Sequence, residues 1–483
     1  MKKRNILVII LCLLISTAAG AQALKGSYFL DSSLNRHELN PAFAPRANYV
    51  QLLAVGNTGV GLGSNIDMPS LLYPQDGKLL TFLHPDVSMA QFDKAFPKHP
   101  HFDADVRTTI LGFGKYTKKK AFWSFDLDVR ANVDTDLPGD LFRFLKQGMG
   151  SESGSYNIGN INAYAMAGVQ ATLGYSRNIF DGFRVGIKAR AIAPVGYGAL
   201  NLENVRLTTS EDMWKFTTEG YAHVAAQGLE IELPEGELMP SVNFDKQKAI
   251  DAKVLAGFGC SFDLGFEYRL EKGTRLDGLT VSAAVTDLGR IRYKKNAVKS
   301  FTSSGSVEWK GLEGVTLENY YNEAEEYLNN FLEEAQASLL NLSEMENKGG
   351  FSRSTMPTFT AGVEVPLLTK SMTVGLLYNV RKSHSYARQE MTVSYNLTPC
   401  KWFALGLNYS FLNTARTMGF ILELTPRVGP AVYIGCDYLP IEWAKADFIP
   451  YIGHLPTAYR LNMNFGIALH TGGKTTKKPK NKK

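Results

Sequence analysis

The sequence predicts an all-β protein: a transmembrane, antiparallel β-barrel of about 14 strands with a plug-like N-terminal segment and one helical loop insertion. Three observations lead there: long runs of alternating apolar and polar residues, an export signal, and connections whose lengths alternate along the chain. The alternation is clearest from Tyr459 to His470, where every odd position is large and apolar and the even ones are polar, charged or small. Such a strand has one apolar and one wet face and is long enough to cross a bilayer at a tilt. Leu461, Met463, Phe465 and Ile467 are expected to face lipid, and Asn462 and Asn464 the lumen. The pattern recurs in Trp123, Phe125, Leu127 and Val129 against Ser124, Asp126, Asp128 and Arg130. A soluble sandwich would bury such a face against a second sheet, whereas a barrel turns it to lipid.

The N-terminus decides between these. Residues 1–21 read as a signal peptide, with Lys2, Lys3 and Arg4 before an apolar stretch from Ile6 to Ile15 and Ala19-Gly20-Ala21 as the cleavage site. Bulky Leu11 before Cys12 argues against lipid attachment there. No later apolar run is long enough for a spanning helix, so any membrane span must be made of strands. The expected location is the outer membrane of a Gram-negative bacterium, with outer-membrane lipid as the surroundings.

Residues 22–48 follow, with Leu39-Asn40-Pro41-Ala42-Phe43-Ala44-Pro45 too broken by proline for a strand. They form either a plug in the barrel mouth, with Asn40, Pro41 and Ala42 as its motif, or a periplasmic lead-in. The barrel is expected over 49–470. Its fourteen candidate strands are 49–62, 106–116, 121–133, 161–177, 182–194, 254–270, 279–293, 357–366, 371–381, 388–397, 402–411, 416–425, 430–438 and 459–470. Further strand-like runs at 200–209, 214–224 and 301–309 fall inside long connections. The links 64–105, 134–160, 195–253, 294–356 and 439–458 are long, and the intervening 117–120, 178–181, 271–278 and 367–370 are short. Outer-membrane barrels place long loops outside and short turns in the periplasm, which puts both termini in the periplasm.

The helical insertion is expected at 318–346, where Tyr321, Ala324, Leu328, Phe331, Ala335, Leu339 and Leu342 recur at helical spacing. Its eight glutamates oppose that apolar stripe. It is either a lid or a helix packed on its own loop hairpin, and the second reading is preferred. Residues 471–483 read as a solvated basic tail.

With these features in place, the chain resembles outer-membrane barrels of the long-chain fatty acid transporter superfamily, and most of all a branch of unknown function. The resemblance rests on the text from Ser33 to Pro45 and on Val285-Thr286-Asp287-Leu288-Gly289, in which Asp287, Leu288 and Gly289 match a recurring strand ending of that superfamily. It implies a barrel that passes a small hydrophobic molecule, or alternatively a non-transporting barrel that docks exported or surface proteins. No ligand-binding residue carries over.

The formal charge of +6 is carried by the ends: without Lys2, Lys3, Arg4 and the six lysines after Gly473, the remainder stands at −3. Nucleic-acid binding therefore has no support. Of the three cysteines outside the signal, Cys260 shares an apolar face with Phe258, Phe262, Leu264 and Phe266, and Cys436 one with Val432, Ile434 and Tyr438. They read as lipid-facing or packed thiols. His99, His101 and Asp103 are spaced for metal ligation, but flanking prolines make them a loop, and no cofactor or metal is expected. No nucleophile or phosphate-loop motif occurs, so the chain is read as a non-enzyme, with a barrel-embedded hydrolase the least favoured alternative. The wet faces present Asp126, Asp128 and Arg130, then Arg184, Lys188 and Arg190, then Asp263, Glu267 and Arg269. These are expected to pair as a charge network in the lumen. A monomer is expected.

Overall fold

The computed structural model describes residues 24–473 apart from 53–55, 67, 76–77, 148–153, 210–213, 233–240, 245–246, 249–253, 271–276, 310–341, 346–349, 368, 370, 384–386, 413–415, 442, 446–453 and 457–459. The expected signal peptide, all of the 318–346 helix up to residue 341, and the lysines of the tail lie outside the described residues.

Fourteen strands close into one antiparallel ring. β1 is made of two pieces, Ala47–Leu52 and Thr58–Ser64, and is followed by β2 (His101–Tyr116), β3 (Phe122–Asp136), β4 (Gly154–Phe180) and β5 (Phe183–Thr209). Then come β6 (Gly257–Arg269), β7 (Thr280–Tyr293), β8 (Thr358–Pro366), β9 (Met372–Lys382) and β10 (Ala387–Cys400). β11 (Phe403–Leu412), β12 (Arg416–Leu424), β13 (Val428–Pro440) and β14 (Arg460–Gly473) complete the ring. β14 pairs with β13 on one side and with both pieces of β1 on the other, so no barrel edge is left unpaired. Each of the fourteen alternating segments in the sequence corresponds to one of these strands.

Alternation dictates the two faces. Along β14 burial switches at every residue from Arg460 to Thr471. Leu461, Met463, Phe465, Ile467 and Leu469 are 40–53% exposed, while Asn462 and Asn464 are 2% exposed. Cys260 is exposed beside Phe258, Phe262, Leu264 and Phe266, as its pattern implied. Tyr438 departs from its expected outward face. A register shift between β12 and β13 at Met418/Phe420 adds a residue to β13, so Asp437 and Tyr438 both turn inward and Cys436 is buried.

Ala47 and Gly473 meet at one end of the ring. The links at that end, 117–121, 181–182, 270–279, 367–371, 401–402 and 425–427, are short. Gly182 supplies the positive φ (+80°) that the two-residue β4–β5 turn needs. The opposite end carries the long connections. There β4 and β5, 27 residues each, rise past the ring and pair with each other up to Gly154↔Thr209. Trp214–Ala226 adds to β5, and Val298–Trp309 adds to it in turn, making a sheet above the barrel. The strand-like runs at 200–209, 214–224 and 301–309 are therefore this sheet.

Two expectations about helices need correction. Residues Leu342–Glu344, expected at the end of a helix, are a strand paired to Phe301–Ser303. Helices not expected from the sequence lie in other loops, as α1 (Met89–Ala95) and α2 (Gly139–Gln147). α1 opens with a reciprocal capping box between Ser88 and Gln91.

Candidate functional site: the filled lumen

Residues 24–46 lie inside the ring. Two short turns of 3-10 helix, Lys25–Ser27 and Arg36–Glu38, fold the segment back on itself, and Pro41 and Pro45 withhold the amide hydrogens a strand would need. Its apolar side chains form the core of the lower lumen: Leu24 and Leu30 against Ala404, Ile421 and Tyr433, and Tyr28, Phe29, Leu39 and Phe43 against Leu377. The wall makes room with glycine. A Cβ at Gly375 would come within 2.3 Å of the Phe29 ring, and one at Gly186 within 2.0 Å of the Pro41 carbonyl.

Asn40, Pro41 and Ala42 form a turn held by the asparagine itself. The Asn40 Oδ1 accepts from the Ala42 amide at 2.9 Å, and its Nδ2 donates to the Phe266 and Ala283 carbonyls of β6 and β7 at 3.0 and 3.4 Å. At the other end, the Lys25 Nζ donates to Glu390 and to the Tyr438 hydroxyl, which itself donates to Glu390 at 2.7 Å. The Asp437 carboxylate accepts the Lys25 and Gly26 amides at 2.7 and 2.8 Å. Burial pulls the Lys25 ammonium below its ordinary value, with the Glu390 charge opposing.

Between these anchors the segment is tied around the ring by charge. Arg36 pairs with Asp31, lies 3.8 Å from Glu267 and stacks 3.9 Å over the Phe43 ring. Asp31 also pairs with Arg269 at 3.3 Å. Burial would raise the Asp31 carboxyl, but Arg269, Arg36 and Arg46 outweigh it and hold it well below the usual range. His37 Nε2 meets Asp126 at 3.1 Å, and Glu38 takes both Arg107 guanidinium nitrogens and the Asn57 amide.

Above the segment the walls pair with one another. Arg107 bridges to Asp128 at 2.9 Å, Arg130 to Asp105 at 2.8 Å, and Arg190 to Asp263 at 3.1 Å and to Asp287. Arg381 on β9 reaches Asp105 on β2 at 3.3 Å, although those strands stand half a ring apart. Arg388 of β10 and Arg460 of β14 converge on Asp103 at 3.0 and 3.1 Å. The Arg381 and Arg388 contacts bridge the lumen itself.

The charges picked out in the sequence thus divide. Asp126, Glu267 and Arg269 hold the N-terminal segment, and Asp128, Arg130, Arg190 and Asp263 belong to the network above it. Arg184 makes no part of either, donating instead to Ser176 and Asn178 on β4. Lys188 is buried on the same wall, where Asp126 and Asp263 are the carboxylates that attract it. Asp103, expected in a loop, and Asp105, in the connection expected over 64–105, are lumenal strand residues instead, because β2 begins at His101. His99, His101 and Asp103 gather no metal site: among the described residues no group of three His, Cys, Asp or Glu side chains could hold an ion.

Asp287, Leu288 and Gly289 form a bulge. The β6–β7 register shifts between Phe262 and Leu264, which pair with Leu288 and Val285. Asp287 there has φ +58°, its amide donates to Asp263 at 2.8 Å, and its carboxylate turns inward to Arg190. A non-glycine residue in this region is tolerated best when it is Asn or Asp, and the inward ion pair accounts for which of them is useful here.

Two spaces lie along the lumen, one against the segment and one beyond the charge network. One, of about 430 Å³, opens at the short-turn end and is lined by Phe29, Leu30, Asp31, Arg46, Arg269 and Glu364 among others. The other is a cleft of about 50 Å³ near the loop end, walled by Tyr164, Met166, Ile192, Tyr197, Ile291 and Tyr293 with guanidiniums at its margin.

A family model matches residues 41–437, most of the chain and nearly all of the barrel. The chain belongs to DUF5723, a family of unknown function. No curated protein matches it. Among solved structures, similar ones include the deltaS2S3 mutant of the monoaromatic hydrocarbon channel TodX, with a TM-score of 0.39 and 10% identity over 94% of this chain and 98% of that one. The toluene transporter TodX of P. putida scores 0.36 at 9% identity over 90% and 93%. The translocator domain of the autotransporter NalP from Neisseria meningitidis scores 0.32 at 7% identity over 88% of each chain. Similarity this low carries no argument about cargo or partner.

Proposed function

We propose that this protein is a monomeric outer-membrane channel, shut at rest by its own residues 24–46, for a small and mainly apolar molecule. The short-turn end and both chain ends face the periplasm, and the long loops and the raised sheet face outward. The observation that carries this reading is a pair of spaces along the lumen, a larger cavity against the segment on the short-turn side and an aromatic cleft beyond the charge network on the loop side. A permanently solid barrel would have no use for either. Passage requires the segment to shift and the bridges from Arg381 and Arg388 to part, so opening is a gated event.

Uptake of an aromatic probe into proteoliposomes tests it. Wild type should admit the probe slowly, and Lys25→Met/Glu390→Gln, which unties the start of the segment, should admit it faster. Equal rates in both, matching empty liposomes, would overturn the reading.

The sheet raised by β4, β5, Trp214–Ala226 and Val298–Trp309 favours a second reading, a barrel that docks exported proteins. Extraction in mild detergent separates the two. A co-purifying lipid-like molecule supports the channel, and a stoichiometric protein partner supports the scaffold.

A further inference from the structure

We propose that the outer wall at the β2–β3 turn is a binding site for an anionic glycerophospholipid of the leaflet on the short-turn side. This rests on the membrane reading above. The turn reads Thr117-Lys118-Lys119-Lys120-Ala121, and its three lysines are exposed. Lys115, exposed near the end of β2, pairs across to Trp123 and adds a fourth ammonium. Arg177, exposed near the end of β4, adds a guanidinium, and the adjoining turn offers one carboxylate, Asp181. The other short links do not share this concentration: 367–371, 401–402 and 425–427 hold one basic residue each, and the charges of 270–279 cancel.

Immediately beneath the lysines lies a furrow of about 660 Å³ in the outward face, within the roughly 300–1,000 Å³ range of small-molecule sites. Lys118 and Lys119 form its upper lip, and Trp123, Leu173, Tyr175 and Ile187 its walls. Its depth comes from the cross-strand pair Leu173↔Ala189, where alanine on β5 leaves the wall low beside larger neighbours. The Trp123 and Tyr175 rings stand 4.8 Å apart at 56°, at the level between the cations and the apolar floor.

From the turn towards the middle of the wall, the order is therefore ammonium groups, an amphipathic aromatic pair, then an apolar trough. That is the order of phosphate, glycerol ester and acyl chain in a phospholipid, and aromatic rings with polar edges favour the ester level. A soluble anion would use the lysines and leave the furrow empty. The furrow and the charge together specify a lipid, and the excess of positive charge specifies an anionic one.

The test is native mass spectrometry of the purified full chain, folded in detergent and offered equal amounts of phosphatidylglycerol and phosphatidylcholine with identical acyl chains. The wild type should retain one phosphatidylglycerol in preference to phosphatidylcholine, and excess glycerol phosphate should not displace it. Each cation near such a headgroup is worth about fivefold in affinity, so Lys115→Gln/Lys118→Gln/Lys119→Gln should lower the preference by roughly a hundredfold. These side chains are exposed, so the variant should still fold, as shown by unchanged heat-modifiable migration. Equal retention of the two lipids by a folded wild type, survival of the preference in the triple variant, or displacement by glycerol phosphate would each overturn the site alone. Failure of the wild type to fold with any detergent or lipid would overturn the membrane reading and the site with it.

Discussion

An arginine scan along β14 puts the two faces of the wall to a quantitative test. Leu461, Met463, Phe465, Ile467 and Leu469 all point outward, at 40–53% exposure. At about 3.4 Å per residue the span from Leu461 to Leu469 is about 27 Å along the strand, or about 21 Å along the membrane normal at a tilt of about 40°. That nearly fills the roughly 25 Å apolar band of such barrels. Arginine at Phe465 or Ile467, near the middle, should therefore cost about 2–4 kcal/mol, falling to about 0–1 kcal/mol at Leu461 and Leu469. Inward positions respond differently. Asn464 pairs with Gly435, where even a Cβ would come within 2.6 Å of Leu24, so an inward arginine has no room beside the N-terminal segment. The inward control is Asn464→Ser, which keeps the volume small and should cost about 1 kcal/mol. Denaturant titration of folding into lipid vesicles reads all six values. A flat profile along the outward series would refute the orientation of the strand, as would a larger cost for Asn464→Ser than for Phe465→Arg.

Substitutions at Lys25, Gly186 and Asp287 probe the lumen. Lys25→Met leaves Glu390 buried without its cation and should cost about 3–5 kcal/mol in thermal or denaturant melts, with part recovered in Lys25→Met/Glu390→Gln. Gly186→Ala drives a methyl into the Pro41 carbonyl, so residues 24–46 should become more accessible to protease while heat-modifiable migration is kept. Asp287→Asn should melt about 1 kcal/mol above Asp287→Ala, because both lose the charge of the Arg190 pair but only alanine meets the full cost of positive φ.

The wall was legible because it is a local pattern. Period two fixes each face of β14 and β3 residue by residue, and the turns are marked by sequences such as Asp181-Gly182. Where the period slips, as in the bulge that turns Tyr438 inward, the extra residue belongs to a pairing with β12 that β13 alone does not reveal. The capping box at Ser88 and Gln91 is a local sign of α1, a helix of only seven residues. The lumen was legible only in kind. Asp126, Asp128, Arg130 and Arg190 stand out as charges on a wet face, but their partners are set by closure of the ring. Lys25 meets Glu390 across 365 positions and Arg381 meets Asp105 across 276, separations that no motif spans. Inward glycines such as Gly186 and Gly375 add to the proline-broken text of 39–45 as local signs that another chain segment lies against the wall.

A closed barrel embedded in the outer membrane has a plain signature in the gel migration of the fractionated native protein. The protein should partition with outer membranes and need detergent for extraction. It should run as a compact, fast band when unheated and shift to the slower position of the unfolded chain after boiling. A protein that remains soluble without detergent after export, and whose migration is the same heated or unheated, would contradict it.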